Sequence, residues 1–270
     1  MNPINLFLLI LSLLGVTPTL QAQANNTAAK GSVIAFIGDS NTWNGGDDCS
    51  KPKAWSYFMV KNMLPKQARS FARSGATWTN NATTANTTTH YSEILHDNNV
   101  LYNQVTRLIQ AVDSGNFATP DYIFISAGTN DAWFRAKRPG LYSETVDAAF
   151  ARPLNANTQA KDATSLAASA RLVLLRLKER FPNARIVVVG PPYTTKAPKA
   201  EIEKVADTLQ KVAEKAGVGC VRIERTCGID PDKEKVKPRL TVDGTHTSKD
   251  GAWQVANCVY NYLAFNNWLK

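Results

Sequence analysis

The residues with the clearest chemical potential are a serine, a histidine and an aspartate that lie far apart in the sequence. Ser40 ends a Gly-Asp-Ser triplet, and His246 follows Asp243 by three residues. A serine hydroxyl becomes a useful nucleophile when an adjacent base takes its proton, and an imidazole held by a carboxylate is such a base near neutral pH. We therefore predict Ser40 as nucleophile, His246 as general base and Asp243 as its orienting carboxylate.

A set of hydrogen-bond donors accompanies these three residues. Gly75 follows Ser74, and Asn130 lies in a Gly-Thr-Asn-Asp segment at 128–131. The tetrahedral intermediate of acyl transfer needs donors directed at its oxyanion, and losing one typically lowers turnover by about 10²–10³-fold. The backbone amides of Ser40 and Gly75 and the side chain of Asn130 form the predicted oxyanion hole.

Short apolar runs immediately before these motifs predict the strands that position them. The clearest runs lie at 33–37, 122–125 and 186–189, and weaker ones lie at 68–72 and 218–223. Ligands of an open parallel sheet bind outside the carboxyl ends of its strands. The motifs are therefore expected to meet at one edge of the sheet.

Helical patterns alternate with these strands, which indicates crossover connections and a parallel sheet covered on both faces. Residues 77–99 and 132–157 carry neither pattern and are expected on the functional rim, the first as a mobile lid or a fixed wall. No repeat or linker divides 25–270, which we predict to be a single domain. Helices are predicted at 55–63, 100–112, 162–181 and 199–216 and from Trp253 to Leu263, with Gly217 ending the fourth and Thr247 or Ser248 capping the last.

The motifs together resemble the conserved blocks of SGNH (GDSL-like) hydrolases, in the order typical of that family. Gly38-Asp39-Ser40 is similar to the first block, Gly75 to the second, 128–131 to the third and 243–246 to the fifth. The resemblance implies a three-layer α/β/α sandwich with a flavodoxin-like, five-stranded parallel sheet in the order 2-1-3-4-5, and no metal cofactor. One departure is Asn41, where many members have leucine, and little effect on the catalytic set is expected.

Taken singly, each candidate has an ordinary structural explanation. Ser40 can be a turn or cap residue, Asn130 an Asx-turn, Asp243 a turn cap and His246 a surface histidine. Their order and their shared position after predicted strands favour catalysis instead. The chain has 3 histidines, none in a His-x-x-x-His spacing, which argues against a zinc hydrolase.

The N-terminus predicts export. Residues 6–16 form an apolar run too short to span a bilayer, followed by Ala22-Gln23-Ala24 as a small-x-small cleavage site. We interpret 1–24 as a signal peptide, with a buried N-terminal strand or helix as the alternative, and expect a periplasmic or secreted protein without stable membrane insertion. The net charge of +9 suits anionic substrates or reflects solvated helix faces; no nucleic-acid partner is expected.

Four cysteines remain after the predicted cleavage, and they can pair in three ways or stay reduced. Cys220 begins the last predicted strand at the lower sheet edge, and the final helix descends from the upper edge toward Cys258. Cys49 and Cys227 are both expected near the active-site rim. We therefore predict disulfides Cys220–Cys258 and Cys49–Cys227.

Aromatic residues near the motifs indicate the substrate class. Aromatic rings suit the C–H faces of sugars, although tryptophans often pack loops onto the core instead. Positive charges in the loop after Asn130 can hold a uronate or form a solvated basic loop. The candidate substrate-binding residues are Trp43, Trp78, Trp133, Tyr193 and Arg135, with Lys137 and Arg138 close to the last of them.

The function that these features predict is an exported serine ester hydrolase that removes acetyl or other small acyl groups from carbohydrate. A lipase, lysophospholipase or thioesterase would use the same catalytic set. A catalytically silent glycan-binding protein is the alternative from another class, but binding alone does not need a nucleophile, oxyanion donors and an Asp/His pair.

Overall fold

The computed structural model describes residues 29–269, and within them a five-stranded parallel sheet lies between two layers of helices. The strand order is β2-β1-β3-β4-β5, so the first described strand, β1, lies inside the sheet. The strands are β1 (Val33–Gly38), β2 (Gln67–Ser70), β3 (Tyr122–Ser126), β4 (Arg185–Val189) and β5 (Gly219–Val221). The predicted fold class and strand order are confirmed.

The helices cover both faces of the sheet. They are α1 (Ser40–Trp43), α2 (Trp55–Met63), α3 (Leu101–Asp113), α4 (Thr129–Trp133), α5 (Val146–Ala151), α6 (Leu166–Arg180), α7 (Lys199–Ala216), α8 (Ile223–Thr226), α9 (Pro231–Val236) and α10 (Lys249–Phe265). Helices α3, α6 and α7 pack side by side on one face, and α2 packs with α10 on the other. The long helices therefore lie where the sequence patterns predict them.

Alternation along the buried strands divides the core between these two faces. On β1, Val33, Ala35 and Ile37 face the α3–α6–α7 layer, and Ile34 and Phe36 face the α2–α10 layer. All five are buried. Fully burying a large apolar side chain stabilises the fold by about 1.5–3 kcal/mol, so this two-sided core fixes the sheet that carries the motifs.

Capping residues explain where the principal helices begin and end. Ser165 accepts a hydrogen bond from the Ala168 amide, which starts α6 four residues later than the predicted 162. Gly217 ends α7 with φ 66°, a left-handed conformation that favours glycine. Ser248, the second of the two predicted caps, accepts from the Gly251 amide and starts α10.

The segment 77–99 contains neither helix nor strand, and hydrogen bonds tie it to the α/β framework. The Asn99 side chain donates to the Ser74 carbonyl at 2.6 Å. The Asn103 side chain on α3 accepts from the Thr87 amide at 3.0 Å. These hydrogen bonds hold the segment at two points against the framework, which favours a fixed wall beside the sheet edge.

The structure contains neither predicted disulfide, because Cys49, Cys220, Cys227 and Cys258 are all free thiols. The prediction took α10 to bring Cys258 to Cys220. Instead Tyr262, one turn further along, reaches that point, and its hydroxyl accepts from the Cys220 amide at 3.3 Å. Cys258 lies close enough to Cys227 to influence its ionisation, and burial raises the pKa of Cys49, Cys220 and Cys227 to about 12.

Candidate active site

The end of β1 presents Ser40 at the carboxyl edge of the sheet. Gly38 passes so close to β3 that an added Cβ would lie 2.3 Å from the Ser126 carbonyl oxygen, so only glycine fits there. Gln104 on α3 holds the Gly38 backbone from both sides, with two hydrogen bonds of 2.8 Å. Asp39 then caps α1 by accepting from the Asn41 amide at 3.0 Å. Ser40 is consequently the first residue of a short, rigidly held helix.

Three side chains from the two ends of the chain meet at this point. His246 Nε2 lies 2.9 Å from Ser40 Oγ, and His246 Nδ1 lies 2.7 Å from Asp243 Oδ2. The other Asp243 oxygen accepts from the amides of His246 and Thr245 at 2.8 and 2.9 Å. The hydroxyl, imidazole and carboxylate are thus aligned in one hydrogen-bonded series, the arrangement that proton transfer from the serine requires.

Hydrogen bonding keeps the Asp243 carboxylate charged. Partial burial acts to raise the pKa of Asp243, but the hydrogen bonds from the His246 amide and ring and from the Thr245 amide outweigh it, so the net pKa is lowered. A carboxylate that stays ionised can hold the Nδ1 proton and stabilise the imidazolium formed when Nε2 takes a second proton.

The loop that carries His246 is fixed from several directions. Gly244 has φ 82°, and an added Cβ would lie 2.2 Å from Thr195 Oγ1, so the turn is tightly packed against the loop after β4. The Gly244 carbonyl accepts from the Thr195 amide at 2.8 Å. The Glu234 carboxylate accepts from the Leu240 and Thr241 amides, both at 3.0 Å. Glu234 lies in a run of charged residues, and no sequence motif indicates this role.

Asn41 connects the two halves of the site. Its Oδ1 accepts from the Thr247 amide at 3.0 Å, a contact between residues 206 positions apart. Asn41 follows Ser40, and Thr247 follows His246, so one hydrogen bond joins the segments that carry the hydroxyl and the imidazole. The structure therefore places this residue, expected from sequence to matter little, in direct support of the Ser40–His246 geometry.

Candidate oxyanion donors converge on the same edge. Gly75 has φ 73°, and an added Cβ would lie 2.8 Å from Ile94 Cα, so this position requires glycine. The Asn130 side chain donates to the Ala76 carbonyl at 2.9 Å, which joins the third motif to the second. Within residues 29–269, neither the Ser40 amide nor the Gly75 amide donates to a protein acceptor. Both remain available to an incoming oxygen.

Asp131 holds the second and third motifs together. Its carboxylate accepts from the amides of Trp78 and Thr79, both at 3.0 Å, and from the Thr79 hydroxyl at 2.6 Å. Burial raises the pKa of Asp131, and burial likewise raises the pKa of Asp39 to about 7. Through these hydrogen bonds, Asp131 holds the loop beside Asn130, and Asp39 holds the turn beside Ser40.

The predicted substrate-binding side chains do not form one surface. Trp78 is 0% exposed, and its indole N–H donates to the Ala127 carbonyl, so its assignment to the cleft is wrong. Trp133 is half-buried and stacks on Phe134, and Tyr193 packs against the core while its hydroxyl donates to Glu203. Arg135 is engaged by Glu201 at 2.8 Å. Trp43, at 38% exposed, remains accessible beside the site.

A cleft of 590 Å³ opens next to the imidazole. Most of its lining area is apolar, and two lysines contribute positive charge. The residues around it, besides His246, include Asn44, Pro52, Lys53, Ser74, Val242 and Lys249. Trp43 immediately precedes Asn44, so the exposed indole lies close to this cleft.

The described part of the chain lacks two other features that bear on function. Between residues 29 and 269, no group of three or more His, Cys, Asp or Glu side chains is placed to hold a metal ion. In the same residues, no helix combines the length and apolar character that crossing a membrane requires.

Comparison with known structures agrees with this architecture. A protein of Bacteroides ovatus described as a GDSL-like lipase is 17% identical, with a TM-score of 0.52 over 87% of this chain and 98% of its own. A similarly described protein of Parabacteroides merdae is 20% identical, with a TM-score of 0.52 over 89% and 97%. The acetyl xylan esterase AlAXEase is 17% identical, with a TM-score of 0.53 over 85% and 98%.

Sequence comparison gives the family. No curated protein matches the chain. The family model for GDSL-like lipases and acylhydrolases, however, matches residues 34–259, which include all four motifs and, apart from Val33, all five strands. The chain therefore belongs to the GDSL-like lipase/acylhydrolase family, and it is an ester hydrolase.

Proposed function

We propose that the protein hydrolyses esters through a covalent acyl-enzyme formed on Ser40. The observation that carries this proposal is the continuous series from Ser40 Oγ to His246 Nε2 at 2.9 Å and from His246 Nδ1 to Asp243 at 2.7 Å. Among residues 29–269, no other serine hydroxyl is hydrogen-bonded to a histidine, and the geometry matches what serine activation requires.

The reaction proceeds in two halves. Ser40 Oγ attacks the acyl carbon while His246 takes its proton, and the carbonyl electron pair moves onto the oxygen, which faces the Ser40 and Gly75 amides and the Asn130 side chain. The intermediate collapses, the C–O bond to the alcohol breaks, and His246 returns its proton to the leaving oxygen. Water then repeats the sequence on the acyl-enzyme, releasing the acid and restoring the serine.

The proposed substrate is an acetylated, or otherwise shortly acylated, carbohydrate. The cleft beside His246 is lined by Asn44, Ser74 and lysines, with Pro52 and Val242 as its apolar members. The polar and charged side chains can hydrogen-bond sugar hydroxyls, and the apolar part of the lining, which is the larger part, can contact sugar ring faces. The likeness to an acetyl xylan esterase is a likeness of fold, and it is compatible with this substrate class.

The test compares substrates on one preparation. We expect kcat/KM for acetylated xylooligosaccharides to exceed that for long-chain esters, and p-nitrophenyl acetate to be hydrolysed faster than p-nitrophenyl octanoate. Ser40→Ala should abolish turnover of every ester, and Ser92→Ala, which changes an exposed serine, should not. Preference for the octanoate would instead support a lipase or thioesterase, and saccharide binding unaccompanied by turnover would support a glycan-binding protein.

We also propose export through the N-terminal segment. The predicted signal peptide, 1–24, lies outside the described residues, so support comes from its apolar run and small-x-small site. N-terminal sequencing of protein recovered from outside the cytoplasm should begin at Asn25. Recovery of the intact Met1 terminus from the cytoplasm would contradict the proposal.

A further inference from the structure

Arg138 is buried without a bonding partner. The residue is 8% exposed, and its Nε and Nη2 atoms are buried with no hydrogen-bond acceptor. Across residues 29–269, its side chain forms neither a hydrogen bond nor a salt bridge. Burying a charge without a partner is costly, and such a group in a native structure calls for an explanation.

The nearby carboxylates do not supply that partner. Asp97 and Asp131 are near enough to feel the charge of Arg138. The Asp97 side chain, however, accepts from the Asn81 side chain at 2.6 Å and from the Thr83 hydroxyl. The Asp131 carboxylate is occupied by hydrogen bonds from the 78–79 segment. Both carboxylates therefore balance part of the charge of Arg138, but neither accepts a hydrogen bond from its guanidinium.

Arg138 lines a cavity of 280 Å³ between the two rim loops that follow β2 and β3. The cavity also contacts Lys137, an exposed second cation. Its other walls mix polar and apolar groups, which include Thr79, Asn80, Leu95 and Leu141, and the Asp97 carboxylate also lines it. This volume and this mixture suit one sugar ring with an acidic substituent.

The cavity adjoins the third motif through Thr79. Thr79 lines the cavity and also donates to Asp131, the residue after Asn130. The cavity therefore lies beside the segment that carries Asn130.

We propose that this cavity is a subsite for the carboxylate of a uronate residue in the acylated saccharide, with Arg138 as its principal ligand. The saccharide part of this inference rests on the proposed function. Nε and Nη2 of Arg138 are enclosed, so Nη1 is the guanidinium nitrogen that a carboxylate in the cavity can reach directly. A hydrogen bond between a guanidinium and a carboxylate is charge-assisted and stronger than a neutral one. Lys137 adds a second positive charge at the mouth, and a neutral sugar would leave the guanidinium without its complement.

Binding is measured first, without turnover. Calorimetry on the Ser40→Ala protein compares an oligogalacturonate with the carboxyl-reduced oligosaccharide made from it. We expect the acidic form to bind about 10- to 100-fold more tightly, the range for hydrogen bonds to a charged group. Arg138→Gln in the same background should remove that difference. Arg180→Gln, which removes an exposed arginine elsewhere, is the matched control and should preserve it.

Activity and stability separate the possible failures. Arg138→Gln should hydrolyse p-nitrophenyl acetate normally and should unfold at the same or a higher temperature, because it removes an unpaired buried charge. Equal binding of the acidic and reduced sugars by the Arg138-containing protein overturns the subsite, even if neutral acetylated saccharides are hydrolysed well. Failure to hydrolyse any acetylated saccharide overturns the proposed function instead, while selective binding of the acidic sugar would still support the subsite. If Arg138→Gln does not fold, two other measurements decide: binding of the acidic sugar by Lys137→Gln, and its binding by the Arg138-containing protein at raised salt. If neither change weakens that binding, the proposal is overturned.

Discussion

Replacement of Asn41 by leucine tests whether this residue positions the catalytic side chains or only stabilises the fold. The substitution restores the residue that many GDSL-like proteins carry, but it removes the acceptor of the Thr247 amide. Thr247 is 4% exposed, so water cannot readily replace the lost bond. The amide then either stays unpaired or draws the His246 segment away from Ser40.

The magnitude follows from that single amide. Leaving a buried donor unsatisfied costs about 1–3 kcal/mol. Asn41 Nδ2 is itself buried without a partner, and leucine removes that defect, so part of the loss in folding stability is offset. The catalytic loss is not offset, because the Ser40–His246 contact alone would then hold the two segments at this point. With about 1.4 kcal/mol for each factor of ten, we expect kcat to fall by about 10-fold to 100-fold.

The assay is steady-state hydrolysis of p-nitrophenyl acetate across pH, with thermal unfolding of the same samples. A positioning role lowers kcat while KM changes little, since Asn41 is only 4% exposed and offers little surface to a substrate. Asn103→Leu is the control: it removes an equally buried amide, whose Oδ1 accepts from the Thr87 amide at 3.0 Å. It should lower the unfolding temperature and leave kcat unchanged. An Asn41→Leu protein with wild-type kcat would refute the reasoning, whatever its stability.

Three further outcomes follow from the site and its surroundings. Gly75→Ala should lower kcat for p-nitrophenyl acetate by about 10²-fold or more. At φ 73°, the added Cβ would lie 2.8 Å from Ile94 Cα, so the backbone must shift and the amide is displaced. Wild-type turnover would exclude this amide from catalysis. Because the pKa of Asp39 is raised to about 7, its contribution to stability is greatest below the unfolded value of about 3.9 and declines as pH rises toward 7. Urea unfolding of Asp39→Asn should lack that decline, and an identical pH profile would contradict it. Cys49 and Cys227, buried with pKa values of about 12, should react with iodoacetamide only on unfolding, as mass spectrometry can check; rapid labelling of the folded protein would contradict their burial.

Local signals determined most of the architecture. Runs such as 33–37 and 122–125 are apolar and short, and such runs suit strands that are buried on both faces. Helix ends were readable where a residue has a specific local role, as with Gly217 at a left-handed position and Ser248 at an N-terminus. The alternation of strands and helices indicated a parallel sheet covered on both faces, and the resemblance to SGNH hydrolases supplied the strand order.

Tertiary structure decided what depends on contacts between distant residues. Trp78 and Trp43 both follow a motif by three residues, yet one is enclosed by the core and the other is exposed. Cys258 misses Cys220 because Tyr262, one helical turn further, occupies the place beside that strand.

The same distinction explains the roles that the sequence left hidden. The Asn41–Thr247 bond spans 206 positions, and the missing partner of Arg138 is visible only once its surroundings are known. Spacing along a chain fixes which face of a strand or helix a residue takes. The burial of a side chain and its hydrogen-bond partners are set by the packing of separate elements. For that reason the motifs could be identified from sequence, whereas the hydrogen bonds that support them, the unpaired Arg138 and the free thiols could not.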